Sequence, residues 1–147
     1  TDFSREAIRI SSCHQILHTV RFVQADASAL PFESESFDAV FLYHLLGHIP
    51  GKGRRLVASE IERILIPGGS VFLRVFSVRD FRNGRGIRTE PDTYQRGDGV
   101  STHYFSKEEV ESLFPGLILT AITNSDWTMK VKGVLLTRSE IVADFRK

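Results

Sequence analysis

The sequence of 147 residues contains one cysteine, one tryptophan and one methionine, and its charges nearly cancel. Cys13 alone cannot form an internal disulfide, so a disulfide-stabilised secreted scaffold is excluded. The 19 basic and 18 acidic residues leave a net charge of +1, which favours neither nucleic acid nor membrane. No apolar run approaches the roughly 20 residues of a membrane span, and the first residues do not resemble a secretory signal. These features predict a cytoplasmic protein without a membrane partner.

Composition and length predict a single globular domain. Hydrophobic residues make up 41% of the sequence and charged residues 25%, as in ordinary soluble proteins. The length suffices for one hydrophobic core, and the sequence contains no internal repeat or low-complexity segment. We therefore expect residues 1–147 to form one domain.

Hydrophobic patterning predicts alternating strands and helices. The expected strands are 20–24, 37–43, 70–76, 117 to about 127, and 140–145. The expected helices are 5–10, about 54–65, and 106–114, the last opened by the capping box Ser106-Lys107-Glu108-Glu109. The nearly continuous apolar run 37–43 is typical of a strand that is buried on both faces. Residues 79–99 are expected to be irregular, and Trp127 is expected to lie in the core.

This order predicts an α/β fold with an open, twisted, mostly parallel sheet and a C-terminal antiparallel hairpin. In such sheets, ligands bind at the carboxyl ends of the strands. The residues expected there are Asp2, Asp26 and the pair Tyr43-His44.

Several motifs carry a family resemblance. An acid that ends one strand, an Asp that ends the next, and then "LPFESESFDAV" and "ERILIPGGSVFL" form the order found in class I S-adenosylmethionine-dependent methyltransferases, which the sequence resembles over essentially its whole length. The stretches "RDFRNGRG" and "TYQRGDGVSTHYFSKEEVESLF" are similar to the methyltransferase-like family that makes 3-methylcytidine in tRNA. The resemblance implies a Rossmann-like fold, S-adenosylmethionine as cofactor, and methyl transfer to a nucleophilic nitrogen such as that of an RNA base.

The resemblance also implies a cofactor site at the strand ends. Asp2 is expected to accept hydrogen bonds from the ribose hydroxyls, because one carboxylate can bind both. Asp26 is expected to read the adenine amino group, and residues 42–44 to line the methionine end. The implied cofactor-binding residues are Asp2, Phe3, Asp26, Ala27, Leu42, Tyr43 and His44.

One element of the family is not found in the sequence. The family's first strand ends in a glycine-rich turn, which should precede Asp2, and no other glycine pair here follows a strand and opens a helix. We expect a domain that lacks the first strand and alone binds the cofactor weakly. Three explanations are open: an N-terminally truncated fragment, which we favour; a second polypeptide that completes the sheet; or a non-catalytic subunit that dimerises to close the gap.

The acceptor side is expected to follow the third long strand. A ring nitrogen becomes cationic as it is methylated, so a nearby carboxylate would stabilise it, and Asp80 and Asp98 are the candidates. Tyr104 and Phe105 could stack on a base. Regularly spaced arginines form either a phosphate-binding rim or a solvated loop. The candidate catalytic residues are Asp80, Asp98 and Tyr104, and the candidate substrate-binding residues are Arg79, Arg82, Arg85, Arg96, His103 and Phe105.

Other functions remain open from the sequence. The acceptor is either a tRNA or a small molecule, including a metalloid, and the non-catalytic subunit is the third alternative. His44 and His48 have the spacing of metal ligands on a helix, but Gly47 and Pro50 argue against a helix there, so no metal site is predicted. Cys13 beside His14 is expected to be structural, because methyl transfer needs no covalent enzyme intermediate.

Overall fold

The computed structural model describes residues 1–13 and 19–147. The strands are β1 (Phe37–Tyr43), β2 (Leu65–Phe76), β3 (Ile87–Glu90), β4 (Thr93–Gln95), β5 (Ser101–His103), β6 (Ile118–Val131) and β7 (Val134–Arg146). The helices are α1 (Arg5–Ser12), α2 (Gly51–Ile64) and α3 (Lys107–Glu111), and a 3-10 turn spans Leu46–His48. Both α1 and α3 begin after a serine whose hydroxyl accepts a backbone hydrogen bond, Ser4 from Ala7 and Ser106 from Glu109.

The main sheet has the strand order β1-β2-β7-β6. β1 and β2 are parallel and are joined by α2, whereas β7 runs antiparallel to both of its neighbours. The predicted α/β fold with a terminal antiparallel hairpin is therefore confirmed. The described part of the sheet holds one parallel pair, β1 with β2, because β7 lies between β2 and β6 and runs antiparallel to both. β1 forms one edge of this sheet.

One face of the main sheet is covered and forms the core. Alternate residues of β2 point to this face, as the period of two in a strand requires. They pack against the apolar side of α2, which repeats every three or four residues. The core residues from these elements and from β7 are Val57, Ala58, Ile61, Ile64, Val71, Leu73, Val75, Ile141, Ala143 and Phe145.

The opposite face of the sheet is open, so the prediction that β1 is buried on both faces is wrong. Phe41 is 62% exposed and Tyr43 is 51% exposed. Within the described ranges, no helix buries residues against this face; α1 has none that is buried. Phe41 instead stacks on Phe72 of β2, with ring centroids 4.9 Å apart. Within the described residues, the apolar run of β1 is therefore packed on one face of the sheet only.

The strand predicted at 20–24 is reduced to one bridge. Asp2 and Gln24 form an isolated parallel bridge, in which the Asp2 N–H donates to the Val23 carbonyl and the Ala25 N–H donates to the Asp2 carbonyl. The short segment around Asp2 is the only described neighbour of this stretch, so a longer ladder does not form. The β-branched and aromatic composition of 20–24 indicated a strand, but a strand also needs a pairing partner along its length.

Two further expectations are corrected. The segment 79–99 is not irregular throughout, because it contains β3 and β4, which pair with β5 in a small antiparallel sheet. Trp127 is not in the core but is 39% exposed. β2 pairs with β7 only from Glu140 to Arg146, so the rest of the β6–β7 hairpin, including Trp127, extends beyond the sheet. No helix in the described part of the chain is long and apolar enough to cross a membrane.

Candidate functional site at the carboxyl end of the first strand

A cavity of about 970 Å³ lies along the free edge of β1 and reaches its carboxyl end. Its walls include Arg21 and Val23 on one side and the backbone of β1 on the other. Five of the seven residues predicted for the cofactor line it: Asp2, Ala27, Leu42, Tyr43 and His44. These residues come from three separate stretches of sequence, which meet around the cavity.

The other two predicted cofactor residues do not line the cavity. Phe3 is exposed, and Asp26 turns its carboxylate toward its own loop. The Asp26 Oδ1 accepts hydrogen bonds from the hydroxyl and the backbone N–H of Ser28, at 2.7 and 2.8 Å, and these bonds lower the pKa of Asp26. Asp2 is similarly bonded, with its Oδ1 2.7 Å from the backbone nitrogen of Ser4, which leaves its second carboxylate oxygen unbonded within the described residues.

His44 occupies an unusual backbone conformation at the end of β1. Its φ of 58° lies in the left-handed region, which is sparsely populated by residues other than glycine. The backbone N–H donates to the Arg74 carbonyl at 2.8 Å, and the ring stacks on Phe76 with centroids 4.4 Å apart. Burial lowers the pKa of His44, and although Glu140 opposes this effect, the net direction is down. The imidazole is therefore neutral at pH 7.

Asp80 is a buried ion-pair centre and does not face a ligand. Its carboxylate accepts hydrogen bonds from the Nε atoms of Arg82 and Arg138, at 3.0 and 2.6 Å, and from the backbone N–H groups of Arg82 and Ser139. Burial raises the pKa of Asp80, but these bonds outweigh burial, so its net pKa is lowered. Both arginines also lie over the Phe76 ring, 4.2 and 4.8 Å from its centroid. This geometry disfavours the predicted contact between Asp80 and a methyl acceptor.

Most of the arginines predicted as a phosphate rim are paired with acids. Arg79 bonds to Asp126, Arg82 to Asp80, and Arg96 to Asp98. Arg85 and Arg88 are exposed, and in residues 1–13 and 19–147 neither has a carboxylate within 4.0 Å. Asp98, a predicted catalytic residue, lies in an exposed turn with Arg96 as its partner.

The segment His103-Tyr104-Phe105 is buried rather than presented to a base. Phe105 belongs to the core, so the predicted stacking of a base on its ring is wrong for this conformation. His103 bonds to the Thr93 hydroxyl through Nδ1 at 2.8 Å and to the Glu109 carboxylate through Nε2 at 2.9 Å. Burial raises the pKa of Tyr104. These contacts support the small sheet and the start of α3.

Glu140 and Arg138 are site residues that the sequence interpretation missed. The Glu140 Oε1 lies 3.3 Å from the His44 Nε2, and Arg138 joins β7 to Asp80. The strand was predicted to begin at residue 140, so Arg138 was left outside it and Glu140 was treated as its terminal residue. Alternation along β7 could have placed Arg138 and Glu140 on one face with Val142.

No metal site is found in the described part of the chain, since no group of three His, Cys, Asp or Glu residues is arranged to hold an ion. His48 points its Nδ1 to the carbonyl of Ser101 at 2.9 Å rather than pairing with His44 as a ligand. Cys13 is exposed, and His14 lies outside the described residues.

Known proteins match both the sequence and the fold. Residues 1–73 match a family described as a methyltransferase domain. The chain is 30% identical over 135 residues to the tRNA N(3)-cytidine methyltransferase METTL2 of Gallus gallus, covering 84% of this chain and 36% of that protein. It is 28% identical over 120 residues to METTL6 of Mus musculus, another tRNA N(3)-cytidine methyltransferase, covering 77% and 43%. A SAM-dependent methyltransferase from Methanosarcina mazei superposes with a TM-score of 0.75 at 20% identity, covering 99% of this chain and 79% of that one.

The fold is that of class I S-adenosylmethionine-dependent methyltransferases, and the first half of the chain matches a methyltransferase domain, as the motifs indicated. In sequence the chain is similar to the tRNA N(3)-cytidine methyltransferases. The chain spans well under half the length of these curated relatives.

Proposed function

We propose that this protein is an S-adenosylmethionine-dependent methyltransferase that acts on a ring nitrogen of an RNA base, with tRNA as the RNA. The observation that carries the proposal is the cavity at the carboxyl end of β1, where Asp2, Ala27, Tyr43 and His44 meet. In open α/β sheets of this kind, ligands bind at the carboxyl ends of the strands. The unbonded carboxylate oxygen of Asp2 and the apolar walls around Leu42 suit a nucleoside that carries a hydroxylated sugar.

The residues present fit the cofactor in chemical terms. When bound, S-adenosylmethionine supplies a methyl group on a positively charged sulfur. Asp2 would hold the ribose hydroxyls, and Tyr43 and His44 would border the methionine end. The main contribution of the chain is then alignment of the two reactants, since in-line transfer needs no enzyme nucleophile.

The RNA acceptor is supported by the tRNA substrate of the relatives and by the exposed cations Arg85 and Arg88. A small-molecule acceptor is the second candidate. It is favoured by the pairing of Arg79, Arg82 and Arg96 with acids, which removes three of the expected phosphate contacts.

Cofactor binding is tested by calorimetry with S-adenosylmethionine. Asp2→Ala should weaken binding by about 1.5–3 kcal/mol, the usual value of hydrogen bonds to a charged group. Asp38→Ala is the control, because Asp38 is an exposed acid of β1 that does not line the cavity. Equal binding by Asp2→Ala and wild type would contradict the assigned cofactor site. No binding by the complete folded protein, with any segment that completes the sheet, would instead favour the non-catalytic subunit.

The acceptor class is tested by tRNA binding over a series of salt concentrations. Each phosphate contact that is lost should reduce the slope of log affinity against log salt by about one. We expect this reduction in Arg85→Ala and Arg88→Ala but not in Arg55→Ala, which removes an exposed arginine of α2. Absence of tRNA binding at low salt would leave the small-molecule acceptor as the better account.

We also propose that a further strand completes the main sheet at β1, and that the protein is cytoplasmic. The free edge of β1 supports an additional extended segment, from the same polypeptide or from a second chain such as another copy of this one. It would fill the part of the cavity beside Phe37 to Phe41 and leave the part at Tyr43 and His44 to the cofactor. Sedimentation at several concentrations distinguishes these sources, because only the second makes the molecular mass depend on concentration. The single cysteine fits a reducing compartment.

A further inference from the structure

Glu140 is a nearly buried carboxylate without a permanent counter-cation. Its side chain is 12% exposed, and its only ion-pair partner in the described ranges is His44, at 3.3 Å. Burial lowers the pKa of His44, with Arg138 and Arg74 adding to this effect, so the partner of Glu140 is not a permanent cation. Arg138 is nearby in sequence but has its Nε on Asp80. A buried carboxylate is unfavourable unless a cation or hydrogen bonds compensate it.

The two acids that were predicted as catalytic, Asp80 and Asp98, are already compensated by cations. Asp80 is held by two arginines, and Asp98 is exposed with Arg96 as its partner. Glu140 differs from both, because its charge is available to a ligand that approaches His44.

His44 connects Glu140 to the cavity. The ring lines the cavity, stacks on Phe76 and lies within 3.3 Å of the Glu140 carboxylate. The left-handed backbone at His44 is held in place by a hydrogen bond to Arg74. Strained conformations of this kind persist where the surroundings fix them, and they are concentrated at functional sites.

Resting on the proposed function, we infer that Glu140 is a positioning and charge-compensating residue, which acts through His44 to favour a cationic ligand in the cavity. The cation is the sulfonium of S-adenosylmethionine. Its demethylated product, S-adenosylhomocysteine, has the same atoms around the sulfur except for the methyl group and the positive charge. Glu140 should therefore increase the preference of the site for the cofactor over the product.

The test is the ratio of the two affinities, measured by calorimetry for each variant. Glu140→Gln should lower the preference for S-adenosylmethionine about tenfold while leaving S-adenosylhomocysteine binding unchanged. The direction follows from Coulomb attraction, which acts on the cationic sulfonium and is absent for the neutral product. Glu140→Asp, which keeps the charge, should retain most of the preference.

Asp144→Asn is the matched control, because Asp144 is a partly buried acid on the same face of β7, four residues further along. It should leave the ratio unchanged. Partial unfolding of a variant lowers the affinity for both ligands by the same factor, so it does not change the ratio of the two affinities. An equal effect of Glu140→Gln on both ligands, or no effect on either, would overturn the inference while the proposed function stands. Failure of wild type to bind either ligand would contradict both.

Discussion

Asp80 and Arg138 are 58 positions apart in the sequence, yet the Oδ2 of one lies 2.6 Å from the Nε of the other. The contact joins the turn after β2 to the start of the paired part of β7. Arg82 completes the group from the opposite side, and both guanidinium groups cover the Phe76 ring on which His44 stacks. The position of His44 at the cavity therefore depends on an acid that does not itself line the cavity.

Removal of the Asp80 carboxylate should destabilise the fold strongly. We expect Asp80→Ala to lower the free energy of unfolding by about 3–5 kcal/mol, because two partly buried guanidinium groups lose their counter-charge. Asp98→Ala breaks an exposed pair with Arg96 and should change stability by less than about 1 kcal/mol. Urea unfolding followed by circular dichroism measures both. Equal effects of the two substitutions would show that Asp80 is no more than a surface partner.

The same carboxylate should contribute to acid unfolding. Because the folded pKa of Asp80 lies below its unfolded value, the unfolded state binds more protons at acid pH. Its contribution is complete above the unfolded pKa and is lost as the pH falls through the folded pKa. Relative to wild type, Asp80→Asn should therefore lose less stability between about pH 5 and pH 2. Parallel pH profiles for the two proteins would contradict the direction of this pKa shift.

The sequence predicted those features that depend on local pattern. The run Phe37–Tyr43 indicated β1, and residues 54–65 indicated α2. The segments 117–127 and 140–145 indicated a terminal hairpin. The rule that ligands bind at strand ends also predicted that Asp2, Tyr43 and His44 lie at one site.

The sequence did not predict partners that are decided by tertiary pairing. Three of the predicted rim arginines were expected to have no acidic partner. The partner of Arg79 is Asp126, which is distant in sequence. The partners of the other two, Asp80 and Asp98, had been assigned to catalysis. Tyr104 and Phe105 resembled stacking residues because aromatic type does not reveal burial. Glu140 was missed because its only described ion-pair partner, His44, is 96 positions away and follows β1, which is not a neighbour of β7 in the sheet.

The ionisation of His44 should give the protein a second, milder pH dependence. Its folded pKa is lowered by burial, so this group contributes stability above the unfolded value of about 6.5, and the contribution is lost as the pH falls. Glu140 opposes the shift, whereas His48, Arg138 and Arg74 add to it.

His44→Asn is a suitable variant, because asparagine tolerates the left-handed conformation and does not titrate. Between pH 7.5 and about pH 5.5, wild type should lose more stability than His44→Asn does. A steeper acid loss in His44→Asn than in wild type would contradict the assignment.

Gly86 should be the least replaceable glycine of the segment between β2 and β4. Its φ is 113°, and an added Cβ would collide with the carbonyl oxygen of Gln95, the strand partner of Ile87. Gly84 also has a positive φ, of 82°, but a Cβ there would meet no atom within 4 Å, and Gly97 has open space without a positive φ. We expect Gly84→Ala to cost about 1 kcal/mol of folding free energy from backbone strain alone, Gly97→Ala to be close to neutral, and Gly86→Ala to cost clearly more than either. Thermal unfolding of the three variants measures the order. If Gly86→Ala were as stable as Gly97→Ala, the register in which β3 pairs with β4 would be wrong. The positions of Arg85 and Arg88 in the small sheet would then be wrong as well.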